Sequence, residues 1–332
     1  MTNFSEEISS KINEIFSKEN LKTTPKKIAV AVSGGSDSLA LTFALNDFCK
    51  KNKIKLFAIT INHKMREASN LEAKSLNKIF AKQKIAHQIL EINWQKKPQS
   101  NIESKLRQAR YHLLNEFCSK NKIKYLFLGH QLDDVAENFL IRLFRGSGLD
   151  GLSSIAEISD FEQVKLVRPL LDITKNQLQA FLNAKKIKWF EDESNLDEKF
   201  LRNKIRNFIN SFPEENLIKK RIKKAADEIA ITRDLFDHKM NEETADIFEF
   251  QENKVLLNLE KFKNAQEKFA LKALALVMVR VSKKPYKPRL EKLKLFYNWI
   301  ISDKAHKPRD FYGCSAKKYN NSQLEITNEN IQ

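Results

Sequence analysis

Apolar, β-rich runs alternate with segments of helical period through the first half of this chain, and that alternation limits the possible folds more than any other feature. Ile28 to Val32, Ile54 to Ile61, His87 to Ile92 and Lys124 to Gly129 read as strands. Asp37 to Lys50, Ala68 to Lys84, Ile102 to Lys120 and Asp133 to Phe144 repeat apolar residues three and four apart, the spacing of one helix face. Strands separated by helices predict an α/β domain: a doubly wound, mainly parallel sheet with helices on both faces. Open sheets of this kind bind ligands in the crevice beyond the carboxyl ends of their strands. Three polar clusters fall on that rim: Ser33-Gly34-Gly35-Ser36-Asp37-Ser38 after the first strand, Asn62 to Arg66 after the second, and His130 to Asp134 after the fourth.

Beyond residue 150 the pattern loosens. Val164 to Leu171 reads as a strand, Thr174 to Lys185 as a helix, and Glu191 to Lys199 as a polar stretch. Glu214 to Met240 reads as one long charged amphipathic helix, followed by helices over Lys261 to Val281 and Arg289 to Ile301. A length of 332 residues favours two domains. The expected division is therefore a catalytic domain over 1–213 and a mostly helical, basic domain over 214–332.

The balance of 59 Lys and Arg against 42 Asp and Glu, a net charge of +17, suits a polyanionic partner such as nucleic acid. A lysine-rich, asparagine-rich composition also arises from an A/T-biased genome, so charge alone does not decide. Arg280 to Lys318 carries twelve Lys and Arg against Glu291, Asp303 and Asp310, which reads either as a solvated face or as a binding patch. No run approaches the roughly 20 apolar residues of a membrane helix. The acidic, polar amino terminus is unlike a secretory or transit leader, so a cytoplasmic protein is expected. Cys49, Cys118 and Cys314 are far apart with no Cys-x-x-Cys pair, which argues against a disulfide framework or a zinc or iron-sulfur site.

The Ser33 to Ser38 loop joins a strand to a helix. Two glycines let the backbone turn and approach a ligand, the serines add hydroxyls, and the helix directs its free N–H groups into the loop. The loop is not a Walker A motif, because it has no Gly-Lys-Ser/Thr. A phosphate fits; so does a plain turn in which Ser36 or Asp37 caps the helix. Asp37 beside an anion calls for a bridging metal, and Mg2+ is the natural candidate. Asp133, Asp134 and Glu137 open a helix, where acids are favoured by the dipole alone. Glu103, Arg107 and Arg110 share one side of another helix, as an internal ion pair or as phosphate ligands. Three glycines between Arg145 and Gly151, of seven in the whole chain, mark a loop that needs unusual backbone freedom.

Taken together, these motifs carry a resemblance. Ser33 to Ser38 resembles the pyrophosphate-binding loop of the N-type ATP pyrophosphatases, whose fold is adenine nucleotide α-hydrolase-like. The further motifs are His63-x-x-Arg66-x-x-Ser69, Asn101-x-Glu103 through Arg110-Tyr111, Gly129-His130-x-x-Asp133-Asp134 and Arg145-Gly146-Ser147-Gly148-x-x-Gly151-Leu152, with Arg168-Pro169-Leu170, Asp192-x-Ser194-Asn195 and Arg202-Asn203-x-x-Arg206 after them. In order and spacing over residues 25 to 210 they are similar to the tRNA(Ile)-lysidine synthetase family. Gln131 departs from the family, which often has a second histidine there.

The resemblance implies a ligase that uses ATP and Mg2+ to join free L-lysine to C2 of the wobble cytidine of an isoleucine tRNA with a CAU anticodon. It implies ATP contacts from Ser33, Gly34, Gly35, Ser36, Asp37, Ser38, His63 and Arg66, with Asp37 at the metal. Asp37, Arg110, His130 and Asp134 would form the catalytic cluster. Arg145, Gly146, Gly148, Arg202, Asn203 and Arg206 would lie at the tRNA. The oligomeric state stays open, a homodimer included. A tRNA-thiolating pyrophosphatase and a non-catalytic RNA-binding protein on a decayed nucleotide fold are the rival readings.

Overall fold

The computed structural model describes residues 4–19, 24–63, 68–94, 102–191, 201–252, 254–284, 286–302 and 307–329. The chain divides into two compact units, Met1–Ala230 and Ile231–Gln332.

The first unit is built on six strands, β1 (Lys27–Ala31), β2 (Lys55–Asn62), β3 (Ala86–Glu91), β4 (Tyr125–Phe127), β5 (Ile158–Phe161) and β6 (Val164–Val167), in the order β3-β2-β1-β4-β6-β5. All pair in parallel except β5, which runs antiparallel to β6 at the edge. Its helices are α1 (Phe4–Lys18), α2 (Ser36–Asn52), α3 (Ala68–Lys82), α4 (Ile102–Lys120), α5 (Leu132–Phe144), α6 (Leu149–Leu152), α7 (Lys175–Ala184), α8 (Leu201–Asn210) and α9 (Glu215–Thr244).

Strand residues alternate between faces, and each face finds its own helices. Ile28 and Val30 of β1 join Phe127, Val167 and the apolar stripes of α1, α2, α3 and α7 in one buried cluster. Ala29, between them, joins Leu126, Leu166 and Tyr111, Leu114 and Cys118 of α4 in the other. Helices therefore cover both faces, as the alternation predicts. The chain runs outward from β1 to β2 and β3 on one side, then returns to place β4 on the other. The reversal opens a crevice at the carboxyl ends of β1 and β4, where such folds bind ligands.

Four elements of this unit, α1, α6, α8 and β5, were not anticipated. α1 is a full helix whose Ile8, Ile12, Ile15 and Phe16 are buried in the α2 cluster. β5 has only four residues and pairs on one side, too short to stand out from a loop by composition.

The second unit contains α10 (Leu259–Asn264), α11 (Glu267–Ser282) and α12 (Leu290–Ile301). The single helix expected over 261–281 is thus two, broken at Ala265, whose backbone is extended. Helix predominates, but an unforeseen antiparallel sheet accompanies it: β7 (Phe248–Phe250), β8 (Lys254–Asn258), β9 (Arg309–Phe311), β10 (Cys314–Lys318) and β11 (Gln323–Asn328), ordered β7-β8-β11-β10-β9. Leu257, Cys314, Ala316, Leu324 and Ile326 from this sheet share a core with Ala270, Leu274 and Met278 of α11. The division between units falls inside α9 at Ala230, 17 residues beyond the expected 213/214; the first half of α9 packs on the α/β unit through Ile222 and Ala226. No helix among the described residues is long and apolar enough to cross a membrane.

Gly129, just past β4, sets how closely that strand approaches α2. A Cβ there would stand 3.0 Å from the Ser38 nitrogen and 3.1 Å from the Asp37 carbonyl carbon, both backbone atoms that cannot swing aside. Gly129→Ala is expected to cost about 1–3 kcal/mol in urea unfolding. Gly35→Ala, whose Cβ would meet nothing nearer than the Ser33 hydroxyl at 3.7 Å, should unfold within about 1 kcal/mol of the parent.

Candidate active site

A cavity of about 200 Å³ occupies the crevice. Val32, Ser33, Asp37 and Ser38 line it from β1 and the turn into α2, Ile61 and His63 from the end of β2, Gly129 and His130 from the end of β4, and Arg110 from α4. The three rim clusters read from the sequence therefore meet around one space.

The loop after β1 is organised by the Ser38 hydroxyl. It donates to the Gly35 carbonyl at 3.1 Å, accepts from the Ser33 amide at 3.2 Å, and lies 3.2 Å from the Ser33 hydroxyl. Gly34 has φ +92°, and a Cβ on it would stand 2.8 Å from the ring of Phe190. Phe190 also donates its amide to the Gly34 carbonyl at 3.0 Å, so the loop is braced from a segment 156 residues downstream that the sequence reading did not single out. The N-cap of α2 is Gly35, with no side-chain hydrogen bond. The plain capping alternative, with Ser36 or Asp37 as the cap, is thereby excluded. First-turn amides of a helix have no intrahelical acceptor, so this end suits an anion.

Asp37 is held beneath the loop, its carboxylate accepting from the Ser36 hydroxyl at 2.9 Å. Burial raises its pKa to about 6, with Asp134 and Asp133 pushing the same way and the Ser36 bond and Lys175 opposing them. One carboxylate in the cavity with two more nearby is too few for an all-protein cage. It suits a Mg2+ ion that arrives with phosphate oxygens, which completes its shell from the substrate. Among the described residues no group of three or more metal-ligating side chains forms a site on its own.

Across the cavity the polarity is reversed. His130 is half-buried, its Nδ1 buried without a partner, and its pKa falls to about 3 through desolvation and the surrounding Arg168, Arg110, Arg107 and Arg202. His63 is lowered too, by burial and Arg110, and its Nδ1 also lacks a partner. The Nε of Arg110 is buried and unsatisfied, its guanidinium lying over the Tyr111 ring. Buried polar atoms in proteins almost always have partners, so three side chains that line one cavity and each carry an unpartnered nitrogen mark a place prepared for a polar ligand. Arg168 contributes charge from behind: it is buried, with Nη1 donating to the Ala156 carbonyl at 2.8 Å and to the Ser159 hydroxyl at 3.0 Å.

Asp134 stands at the mouth of α5. Its carboxylate accepts from the Gln131 amide at 3.0 Å, while the Gln131 side chain accepts from the Asp133 amide at 2.7 Å, a reciprocal cap. Gln131, where the resembling family often has histidine, thus has a structural task. The other Asp134 oxygen is paired with Arg202 of α8. Arg202 also reaches the buried Glu137 at 2.5 Å, and Arg206 reaches its second oxygen at 2.7 Å. Asn203 is buried. Arg202 and Arg206, expected at the RNA, thus tie α8 to α5, with 44% of the Arg202 side chain still exposed. Arg145, Gly146 and Gly148 lie in an exposed turn, with Gly146 at φ +69° and the Arg142 guanidinium closing the loop on the Gly151 carbonyl at 2.8 Å. Arg66 and the stretch 192–200 lie outside the described residues, as does the side chain of Glu103; Arg107 lies over Tyr111.

The fold and this loop define a PP-loop nucleotide-binding protein, and the family model for the PP-loop domain matches residues 4–212. A tRNA(Ile)-lysidine synthase of Wolbachia pipientis is 34% identical over 310 residues, covering 90% of this chain and 70% of that protein. One from Rickettsia typhi is 33% identical, covering 90% and 69%, and one from Orientia tsutsugamushi is 42% identical over 205 residues. The chain belongs to the tRNA(Ile)-lysidine synthase family. In fold it is also like a U34-tRNA thiolase of Methanococcus maripaludis, with a TM-score of 0.54 at 20% identity over 68% of this chain and 79% of that one.

The raised Asp37 pKa gives a stability test. Between the ordinary 3.8 and about 6 the unfolded chain has released a proton that the folded one retains, so stability is lost as pH rises through this window. Asp37→Asn is expected to melt above the parent at pH 7.5 and together with it near pH 4. A variant that melts lower at both values would contradict the burial described.

Proposed function

We propose that this chain is a carbon–nitrogen ligase that attaches free L-lysine to C2 of the wobble cytidine, position 34, of the CAU-anticodon isoleucine tRNA, changing its codon reading from AUG to AUA. The observation that carries this reading is that His63, Arg110 and His130, each with a buried unpartnered nitrogen, line one cavity with Ser33, Asp37 and Ser38 of the loop, in a chain of this family.

In the first step the cytosine C2 oxygen attacks the α-phosphorus of ATP, and the bond to the β-phosphate oxygen breaks to release pyrophosphate. The loop amides and the end of α2 hold the pyrophosphate portion; Asp37 would hold a Mg2+ ion, which would supply charge to offset that of the phosphates. Arg110 and His130 donate to the α-phosphate oxygens as charge builds there. His130 does so as a neutral imidazole, given its depressed pKa. In the second step the lysine ε-nitrogen attacks C2, and AMP departs with the former carbonyl oxygen. The ammonium must lose a proton first. Asp134 is the carboxylate at this position, and a lysine ammonium would compete with Arg202 for it.

The target base has to leave its stack to enter the cavity. The turn bearing Arg145, Gly146 and Gly148 is exposed and suited to a phosphate backbone. Arg202, Asn203 and Arg206 serve RNA binding by holding α8 in place. The thiolation reading requires a reactive thiol, whereas Cys49, Cys118 and Cys314 are buried and each is pushed up to about 12.

ATP-dependent transfer of radiolabelled lysine to an isoleucine tRNA transcript with a CAU anticodon, and none to a methionine tRNA, is the expected result. Asp37→Ala should abolish transfer with tRNA affinity nearly intact, and Arg110→Ala should slow it by about 100-fold or more. ATP cleavage without lysine transfer would overturn the assignment.

A further inference from the structure

The outer face of α8 carries a feature that the active site does not use. Arg202, Asn203, Ile205, Arg206 and Ile209 face α5, so the residues opposite are left in solvent. There Lys204, Phe208 and Phe212 recur every fourth residue, one row along the helix and its exit. Phe208 is 52% exposed and Phe212 40% exposed. Their rings meet edge to face, with centroids 5.3 Å apart at 90°, an arrangement that leaves ring faces open to a flat partner. Neither belongs to a buried cluster.

Four residues separate α8 from α9, whose first half carries further charge. Its inward lysines are matched: Lys219 pairs with Asp133 and Glu215, and Lys223 with Asp172 and Asp227. Its outward cations Lys220, Arg221 and Lys224 form no ion pair among the described residues, and neither does Lys204. Exposed aromatic rings in a row with the unmatched Lys204, followed in the chain by three more unmatched cations, suit an occupant with planar apolar faces and an anionic backbone, the chemistry of a single-stranded nucleic acid. A folded protein partner would need acids opposite these cations and would cover the rings with aliphatic side chains. α8 is fixed through Arg202 to Asp134 at the rim of the cavity, and a helix with its side chains is about 10 Å thick. A strand lying on the outer face is thus within reach of the site.

We propose that Phe208 and Phe212, with Lys204, Lys220, Arg221 and Lys224, form a stacking and phosphate-binding platform for unpaired tRNA nucleotides that flank the modified base. This rests on the tRNA reading above and extends it to a surface which neither the motifs nor the catalytic cluster include.

The test uses the full chain and an anticodon stem-loop of the isoleucine tRNA. Phe208→Leu/Phe212→Leu should weaken stem-loop binding by about tenfold or more, while Phe208→Tyr/Phe212→Tyr, which keeps both rings, should bind within about twofold of the parent. Lys220→Gln/Arg221→Gln/Lys224→Gln should lower the slope of log K against log salt by about 2, the value for three single-strand phosphates. ATP affinity should be unchanged in all three variants. Leucine variants that bind the stem-loop like the parent would overturn the platform, as would leucine variants whose only effect is on melting temperature or oligomeric state. If the parent transfers no lysine but its RNA binding still depends on the two rings, the platform stands and the ligase assignment falls.

Discussion

The close approach of the end of β4 to the first turn of α2 is the contact on which the site depends. Gly129 lets the two backbones meet where any side chain would press on Ser38 and Asp37. That contact sets His130, the next residue, against the same cavity as the Ser33–Ser38 loop. It also explains why one face of the crevice offers amides and the other imidazole and guanidinium. Parallel pairing of β1 with β4 provides the switch in strand order, and the glycine provides the distance.

The charges around this contact are arranged for a polyanion. Burial first, then the charges of Arg168, Arg110, Arg107 and Arg202, hold His130 neutral and so keep it as a hydrogen-bonding group with no charge of its own. Asp37 is the exception, a carboxylate in a desolvated place with two acids nearby, which costs stability at neutral pH. A cation brought by the nucleotide would relieve that cost. Active sites commonly store instability of this kind. Behind it, Glu137 gathers Arg202 and Arg206 and fastens α8, giving the outer face of that helix a fixed relation to the chemistry.

Much of this was legible in the residues. The strands, the main helices of the α/β unit and the convergence of Ser33–Ser38, His63 and His130–Asp134 follow from periodicity and from the rule that open sheets bind at strand ends. The second unit was read less well. Its strands are three to six residues long and their partners lie far apart in sequence, so β8 pairs with β11 across some 70 residues with no local signal. The tie from Arg202 and Arg206 to α5 was hidden for a related reason: a basic motif suggests phosphate, and only the fold reveals a buried Glu137 beneath it. Phe190 bracing Gly34 is likewise a contact between distant segments. Arg168 was visible as part of a motif, but its field on His130 depends on the pairing of β4 with β6.

The most direct measurement is capture of the adenylated intermediate. The full chain would be incubated with ATP labelled at the α-phosphate and the CAU isoleucine transcript, with lysine withheld. The account predicts label bound covalently to the RNA, released as AMP when unlabelled lysine is added. Label that becomes attached to the protein, or AMP that forms at the same rate without RNA, would contradict it.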